Sequence, residues 1–171
     1  NQKCIYDYQR FNPHAGGGRI IELENNKIGL SYGSFSFFEN ILEKNNYWGK
    51  NISIDKRNGE VKILSIGHRN VQGLFFDKKK NIIISTEHGP KGGDEINVVE
   101  LNQSKIENFG WPKASYGEHY QEKTKKEYPL KKSHAKFGFK EPAHYFVPSV
   151  GISEVIDCKK TFSVDCENYE F

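Results

Sequence analysis

The chain has 171 residues, of which 36% are hydrophobic and 27% charged, with a formal net charge of +3. This length predicts one domain, and the lack of any run of about 18 apolar residues excludes a transmembrane helix. The excess of positive charge is too small to indicate a nucleic-acid-binding protein. An aromatic content of 13% together with 16 glycines favours a β-rich chain over a helical bundle.

Strand-like runs separated by turn signals recur along most of the chain. The first three segments each contain two apolar runs around a polar turn and are interpreted as hairpins. Asn58-Gly59 marks the turn of the second segment. The segments predicted to contain strands are 18–33, 50–67, 73–86, 95–102, 143–147 and 153–158.

Two segments interrupt this pattern of strands. Residues 34–46 have a helical pattern and are interpreted as a short helix or an ordered insertion. The tract from Ser115 to Lys140, rich in Lys, Glu and Tyr, is predicted to be a long surface excursion. Successive hairpins without βαβ alternation predict an all-β fold, and periodicity leaves a sandwich, a barrel and a propeller open.

Two polar clusters next to predicted strands are candidates for chemistry. In NPHAGGGRI, His14 precedes three glycines and Arg19, and a histidine titrates near neutrality, so His14 is a candidate general base. In GHRNVQGL, the side chains of Arg69, Asn70 and Gln72 offer several hydrogen-bond donors that suit a planar, carboxylated ligand. A turn with a purely structural role is the alternative for each cluster.

The third cluster is TEHGPKGGDE, Thr86 to Glu95, which separates two predicted strands and is called the glycine loop below. Pro90 has no N–H, so Gly89 and Pro90 can present two carbonyl oxygens, which are ligands that suit Ca²⁺. The alternating acids of an EF-hand are missing, so this loop does not indicate a dedicated calcium cage. A transition-metal site is not favoured, because the sequence has no H-E-x-x-H spacing.

Together these clusters resemble the soluble PQQ-dependent aldose sugar dehydrogenases, the glucose/sorbosone dehydrogenase family. The resemblance is carried by GHRNVQGLFFD, TEHGPKGGDEINVV, NFGWPKASYGEHY and, more loosely, EPAHYFVPSVGIS, and it extends from about His14 to Ser153. It implies a six-bladed β-propeller with pyrroloquinoline quinone (PQQ) lying over the central channel.

The resemblance also implies roles for single residues in binding and catalysis. His14 corresponds to the general base of the family, within a stretch that has one extra glycine here. Arg69 and Asn70 correspond to the pair that contacts the quinone, with Gln72 nearby. Val71 stands where the family usually has proline, a change that loosens the turn.

Two calcium sites are implied in addition to the quinone. The backbone carbonyls of Gly89 and Pro90 correspond to ligands of the Ca²⁺ that accompanies the cofactor. Glu95 and the backbone of Phe109 correspond to ligands of a second, structural Ca²⁺. Pro13 stands where the glucose-oxidising branch has an acid, which favours the broader aldose branch over strict glucose specificity.

The implied function is the oxidation of aldose sugars to lactones. His14 would accept the proton of the anomeric hydroxyl while hydride passes to the quinone, and Arg69, Asn70 and Ca²⁺ would stabilise the developing charge. The expected partners are an aldose and an external electron acceptor, with no nucleic acid and no membrane span, in a periplasmic or secreted protein. The alternatives are a non-catalytic propeller that acts as a binding module and an unrelated lectin-like β protein.

The length limits how much of a propeller the chain can form. A blade takes about 40 to 50 residues, so we expect a partial six-bladed β-propeller with about three to four blades, an incomplete domain over residues 1–171. The chain starts at Asn1 and contains no methionine, so we interpret it as an internal fragment that is inactive alone. Cys158 and Cys166 are close enough in sequence to bridge a hairpin, whereas Cys4 is remote.

Overall fold

A computed structural model describes residues 12–158 of the chain, and nearly all of its regular structure is strand. The short helix α1 spans Glu122–Glu127, and 3-10 turns occupy Pro13–Ala15 and Ala135–Phe137. The strands are β1 (Gly17–Leu23), β2 (Lys27–Tyr32), β3 (Lys50–Asp55), β4 (Val61–Ile66), β5 (Val71–Asp77), β6 (Ile82–Glu87), β7 (Asp94–Glu100), β8 (Glu107–Asn108) and β9 (His144–Phe146).

The strands form two sheets, with orders β1-β2-β3-β4-β8 and β5-β6-β7-β9. Neighbouring strands are antiparallel except for β8, which pairs with β4 in parallel. Four-stranded antiparallel sheets built from consecutive strands are the blades of a propeller, so the predicted all-β class is confirmed. The described residues form two sheets, a five-stranded one that ends on the parallel strand β8 and a four-stranded one, because residues 33–49 and 109–143 form loops and short helical turns.

The predicted hairpins form, and their turns use residues that tolerate left-handed backbone. Asn25 and Asn26 connect β1 to β2 with φ of 56° and 62°, and Asn81 before β6 has φ of 53°. Asparagine and glycine reach this region at lower cost than other residues. Gly59, with φ of 74°, lies in the predicted turn between β3 and β4, so local turn chemistry sets these connections.

Residues 34–46 form turns, and no helix is found there. Lys50, buried in β3, donates from Nζ to the carbonyls of Ile41 and Trp48 at 3.0 and 2.8 Å and to Asn46 Oδ1 at 3.1 Å. Because the carbonyls bond to Lys50, they do not form the backbone hydrogen bonds of a helix. The tertiary contact therefore overrides the helical pattern of the sequence. Burial lowers the pKa of Lys50 to about 8, and Glu43 opposes this shift.

Of the two predictions for the end of the described chain, one is confirmed and the other is wrong. The tract from Ser115 to Lys140 is largely irregular, as predicted, whereas the strand predicted at 153–158 does not form. Instead, this segment passes close to β5: a Cβ added to Gly73 would lie 2.9 Å from the backbone nitrogen of Val155. Cys158 is disulfide-bonded, while Cys4 and Cys166 lie outside the described residues.

The main core lies where the two sheets meet, with β1 against β5. Its buried side chains come from both sheets and from the loop after β8, and each stabilises the fold by about 1.5–3 kcal/mol through removal of apolar surface from water. They are Leu23, Val71, Leu74, Ile83, Val99 and Phe109. Within residues 12–158, no helix is long and apolar enough to cross a membrane.

Candidate functional site

Asn70 links the cluster around His14 to the start of β5. Its Nδ2 donates to the carbonyl of His14 at 3.0 Å, and its Oδ1 accepts from the N–H of Gly17 at 3.1 Å. Gln72 donates from Nε2 to the same Oδ1 at 2.7 Å. Asn70 is buried and His14 is exposed, so the amide holds the backbone of the His14 turn and leaves the imidazole open to solvent.

Arg69 links the same cluster to the glycine loop. Its Nη1 donates to the carbonyls of His88 and Gly89 at 2.9 and 2.8 Å, and its guanidinium lies 5.6 Å from the ring centre of Trp111. Burial lowers the pKa of Arg69, but an arginine remains charged at neutral pH. The three clusters predicted separately from the sequence therefore meet at one place in the fold.

A cleft of about 480 Å³ opens beside Arg69, within the size range of small-molecule sites. It is lined by Arg69, Pro90, Trp111, Phe38 and residues of α1, among others. The indole N–H of Trp111 is buried and has no hydrogen-bond partner among the described residues. A bound anion with hydrogen-bond acceptor groups would accept from this N–H and neutralise the charge of the Arg69 guanidinium.

Glu87, at the end of β6, holds the backbone under the cleft in place. Its carboxylate accepts from the N–H of Arg69 at 2.7 Å, from Nδ2 of Asn97 at 2.7 Å and lies 2.9 Å from Nδ1 of His68. Burial alone would raise the pKa of Glu87, but His68, Arg69 and Asn97 together lower it. Sequence analysis assigned Glu87 no role of this kind, although a carboxylate that ends an apolar strand is a signal of buried pairing.

Ser65, His68 and Glu87 have the connectivity of a nucleophile, a base and an acid. Ser65 Oγ lies 2.7 Å from Nε2 of His68, whose Nδ1 faces Glu87. All three side chains are buried, Ser65 and His68 completely. Since no substrate atom can reach the hydroxyl, this arrangement is structural: it fixes the imidazole and, through Glu87, the start of β5.

Asp94 anchors the glycine loop. Its Oδ1 accepts from the N–H of Gly89 at 3.2 Å, and its Oδ2 accepts from the N–H groups of Val150, Gly151 and Ile152 at 3.1, 2.8 and 3.3 Å. The carboxylate therefore ties the loop to the segment that follows β9. Sequence analysis considered no such role for Asp94.

The glycines of the loop are required by close backbone packing. A Cβ added to Gly89 would overlap the carbonyl of Gly93, and one added to Gly93 would overlap the backbone of Gly117. Gly93 also has φ of 81°, a conformation that glycine adopts at little cost. The loop pairs with the surface excursion that follows it in the chain, through reciprocal backbone bonds between Lys91 and Glu118 at 2.9 Å.

The four residues predicted to bind calcium line one small cavity of about 10 Å³, large enough for about one water or ion. They are Gly89, Pro90, Glu95 and Phe109. Two of their carbonyls already accept hydrogen bonds: Gly89 from Arg69, and Phe109 from Nδ1 of His134 at 2.8 Å. Within residues 12–158, no group of three or more His, Cys, Asp or Glu side chains has an arrangement that could hold a metal.

Glu95 is the carboxylate of this cavity. Burial raises its pKa well above the usual value, and the charge of Glu87 adds to the rise. Its Oε1 lies 3.4 Å from Nε2 of His134, a distance within ion-pair range but without hydrogen-bond geometry. A proton on Glu95 or a cation beside it would relieve this buried charge.

The fold and the site define a propeller-like protein with a cationic, aromatic cleft, and comparison with known proteins gives its family. The family model for glucose/sorbosone dehydrogenases matches residues 2–163. The chain therefore belongs to the glucose/sorbosone dehydrogenase family.

Three known proteins are similar to parts of this chain. The aldose sugar dehydrogenase YliI of Escherichia coli (strain K12) is 34% identical over 100 residues, 58% of this chain and 25% of that protein. The quinoprotein glucose dehydrogenase B of Acinetobacter calcoaceticus is 42% identical over 59 residues, 34% of this chain and 11% of that protein. The crystal structure of the soluble aldose sugar dehydrogenase of Escherichia coli in its apo form matches with a TM-score of 0.64 and 26% identity, covering 81% of this chain and 42% of that chain. The chain thus matches less than half the length of each of these relatives.

Proposed function

We infer that this chain forms part of a PQQ-dependent dehydrogenase that oxidises aldose sugars to lactones. The observation that carries this proposal is that Arg69 lines the cleft with Pro90 and is bonded to the glycine loop, while the adjacent Asn70 holds the backbone of the His14 turn. The side chains of His14, Asn70 and Gln72 lie beside the cleft and are not among the residues that line it. The family match and the quinoprotein and aldose sugar dehydrogenase relatives support the choice of cofactor and substrate.

In this proposal, the residues of the site have separate roles. PQQ, when bound, supplies the two-electron acceptor of the reaction. Arg69, with Asn70 and Gln72 beside it, would hold the anionic and carbonyl groups of the cofactor through its guanidinium. His14, whose imidazole is exposed while its backbone is fixed, would take the proton from the anomeric hydroxyl of the sugar.

The carbonyls of Gly89 and Pro90 would bind a Ca²⁺ that accompanies the cofactor on the side of the cleft, which Pro90 also lines, and Glu95 with the Phe109 carbonyl would bind a second one in the small cavity. Backbone carbonyls and carboxylates are the ligands that Ca²⁺ prefers. Since Arg69 donates to the carbonyl of Gly89, the ion at this loop would share that oxygen with the guanidinium or displace it.

Replacement of Glu95 by glutamine tests the second calcium site. We expect Ca²⁺ to raise the melting temperature of the wild type and to leave that of Glu95→Gln unchanged. With calcium chelated at pH 7, the variant should unfold with a free energy within about 1 kcal/mol of the wild type, because the folded protein favours an uncharged side chain here.

The pH dependence of stability gives a second measurement on Glu95. Its pKa is raised in the folded protein, so its contribution to stability is complete below the unfolded value of 4.5 and is lost as the pH rises through the raised pKa. Denaturant unfolding of the chelated wild type should show this decline, and Glu95→Gln should lack it. A loss above about 2 kcal/mol in Glu95→Gln at pH 7 would show instead that the carboxylate is charged and paired with His134.

A PQQ titration in the presence of Ca²⁺ tests the proposed function itself, with the protein at its full natural length. We expect the wild type to change the visible absorbance of PQQ and to reduce a dye when an aldose is added. Arg69→Gln should bind PQQ at least about 100-fold more weakly, since a buried charge-assisted contact is lost. The control Arg57→Gln, on the exposed β3–β4 turn where Arg57 pairs with Asp55, should bind like the wild type.

Two results would decide against parts of the proposal. No PQQ-dependent absorbance change in the wild type would exclude the cofactor, and binding without turnover would favour the alternative of a binding module. The incomplete propeller domain over residues 1–171, the inactivity of this chain by itself, the external electron acceptor and the periplasmic or secreted location stay predictions.

A further inference from the structure

His119 lies in the cleft and has no part in the function proposed above. Its side chain is 9% exposed and lines the cleft together with Arg69 and Trp111. Its ring centre lies 5.4 Å from that of Trp111 and 5.9 Å from that of Phe38. Phe38 and Trp111 also contact each other, edge to face, at 5.4 Å, and the guanidinium of Arg69 lies over Trp111 at 5.6 Å, so the three rings form one aromatic cluster beside Arg69.

The hydrogen bond of His119 sets its tautomer. Nε2 lies 2.8 Å from the carbonyl oxygen of Tyr128, and since a carbonyl can only accept, Nε2 carries the proton. Burial lowers the pKa of His119, and the charges of Arg69 and Lys132 lower it further, so the imidazole is neutral at neutral pH. Its Nδ1 is then an acceptor, and no hydrogen bond from residues 12–158 to this atom is found.

We propose that Nδ1 of His119 accepts a hydrogen bond from a hydroxyl of the aldose bound in the cleft, which makes His119 a residue that determines sugar specificity. This inference rests on the proposed function and adds the position of the sugar to it. Phe38 and Trp111, which pack on His119 and line the same cleft, would provide apolar surface for the C–H groups of a pyranose. Apolar walls with a few polar groups in defined positions are typical of small-molecule sites.

The chemistry of the acceptor distinguishes the sugar from the cofactor as its partner. A neutral imidazole nitrogen with a lone pair needs an O–H or N–H donor. The hydroxyls of an aldose are all donors, whereas the ionised carboxylates and quinone oxygens of PQQ are acceptors and its pyrrole N–H is a single donor, so an acceptor at this position favours the sugar. Those acceptor groups are matched by Arg69, which lines the same cleft, and by the N–H of Trp111, which has no partner among the described residues.

Steady-state kinetics of the PQQ- and Ca²⁺-loaded protein at its full natural length test this inference, with His119→Phe as the first variant. Phenylalanine keeps a ring against Trp111 and Phe38 but offers no acceptor. We expect KM for the aldose to rise about 10-fold, the effect of one hydrogen bond, with kcat and PQQ affinity within about twofold of the wild type. His119→Gln, whose amide oxygen is an acceptor, should recover part of the loss in KM.

Monodeoxy aldoses identify the hydroxyl that His119 contacts. For the sugar that lacks this hydroxyl, the wild type and His119→Phe should have the same KM, whereas other monodeoxy sugars should keep the difference. The control His144→Phe changes an exposed histidine on β9 that does not line the cleft, and it should keep the KM of the wild type.

The possible failures are distinguishable. If the wild type shows no PQQ-dependent turnover, the proposed function is wrong. If the wild type turns over and both His119 variants have its KM for every sugar, only the contact to the sugar is wrong. If His119→Phe weakens PQQ binding with KM unchanged, His119 contacts the cofactor and the inference is also overturned. Thermal unfolding of both variants verifies that they are folded.

Discussion

Replacement of Glu87 by glutamine should lower the free energy of unfolding by about 3–5 kcal/mol, the cost of removing one partner from a buried, hydrogen-bonded charge network. The carboxylate serves His68, Asn97 and the N–H of Arg69 at once, and its side chain is 3% exposed. A glutamine has one acceptor oxygen and directs an NH₂ group at one of these donors. Urea unfolding at pH 7 measures the loss.

The pH dependence of the Glu87 effect has a defined sign. Since the pKa of Glu87 is lowered in the folded protein, its stabilising contribution is complete above the unfolded value of 4.5 and is lost as the pH falls through the lowered pKa. The difference between wild type and Glu87→Gln should therefore shrink on acidification. The control Glu100→Gln removes a half-exposed carboxylate from β7 that lies 3.7 Å from Lys140, and it should cost less than about 1 kcal/mol. Equal losses in both variants would show that the buried network does not stabilise the fold.

Replacement of Asp94 by alanine should cost about 2–4 kcal/mol and release the segment after β9. The carboxylate accepts from four backbone N–H groups, those of Gly89, Val150, Gly151 and Ile152, and alanine leaves these donors without their acceptor. Amide hydrogen exchange should therefore speed up at Gly151 and Ile152 far more than in the strands of the first sheet.

The effect of Asp94 should extend to the cleft, because Asp94 holds Gly89 and Arg69 donates to the carbonyl of that residue. We expect Asp94→Asn, which keeps one acceptor oxygen, to lose about half as much stability as Asp94→Ala. The control Asp77→Ala removes an acid that accepts from the N–H groups of Lys79 and Lys80 in an exposed turn, and it should lose less than about 1 kcal/mol. Unchanged exchange at Gly151 in Asp94→Ala would contradict this role for Asp94.

The all-β class, the hairpins and the three polar clusters were predictable because their signals are local. The Asn25-Asn26 turn and the turn at Gly59 depend on backbone conformations that these residues adopt readily. The glycine loop was recognised as an interruption between strands, although its glycines also serve close packing against Gly117. Short-range conformational preference is enough for elements of this kind.

The roles of Glu87, Asp94 and His119 depend on partners that are distant in sequence. The conformations of residues 34–46 and 153–158 also depend on such partners. Glu87 is stabilised in the interior by groups from β5 and β7, and His119 lines the cleft through its packing on Trp111 and Phe38. Residues 34–46 follow the buried amine of Lys50 rather than their helical pattern.

The sequence by itself determined which residue types and turns the chain carries, and with them the strands and the candidate chemistry. Only the tertiary structure decided which polar groups are buried and which oxygens already accept hydrogen bonds. An example is the carbonyl of Gly89, which accepts from Arg69. The physical reason is that the cost of burying a charge or a carbonyl is set by the groups that fold around it, and not by its neighbours along the chain.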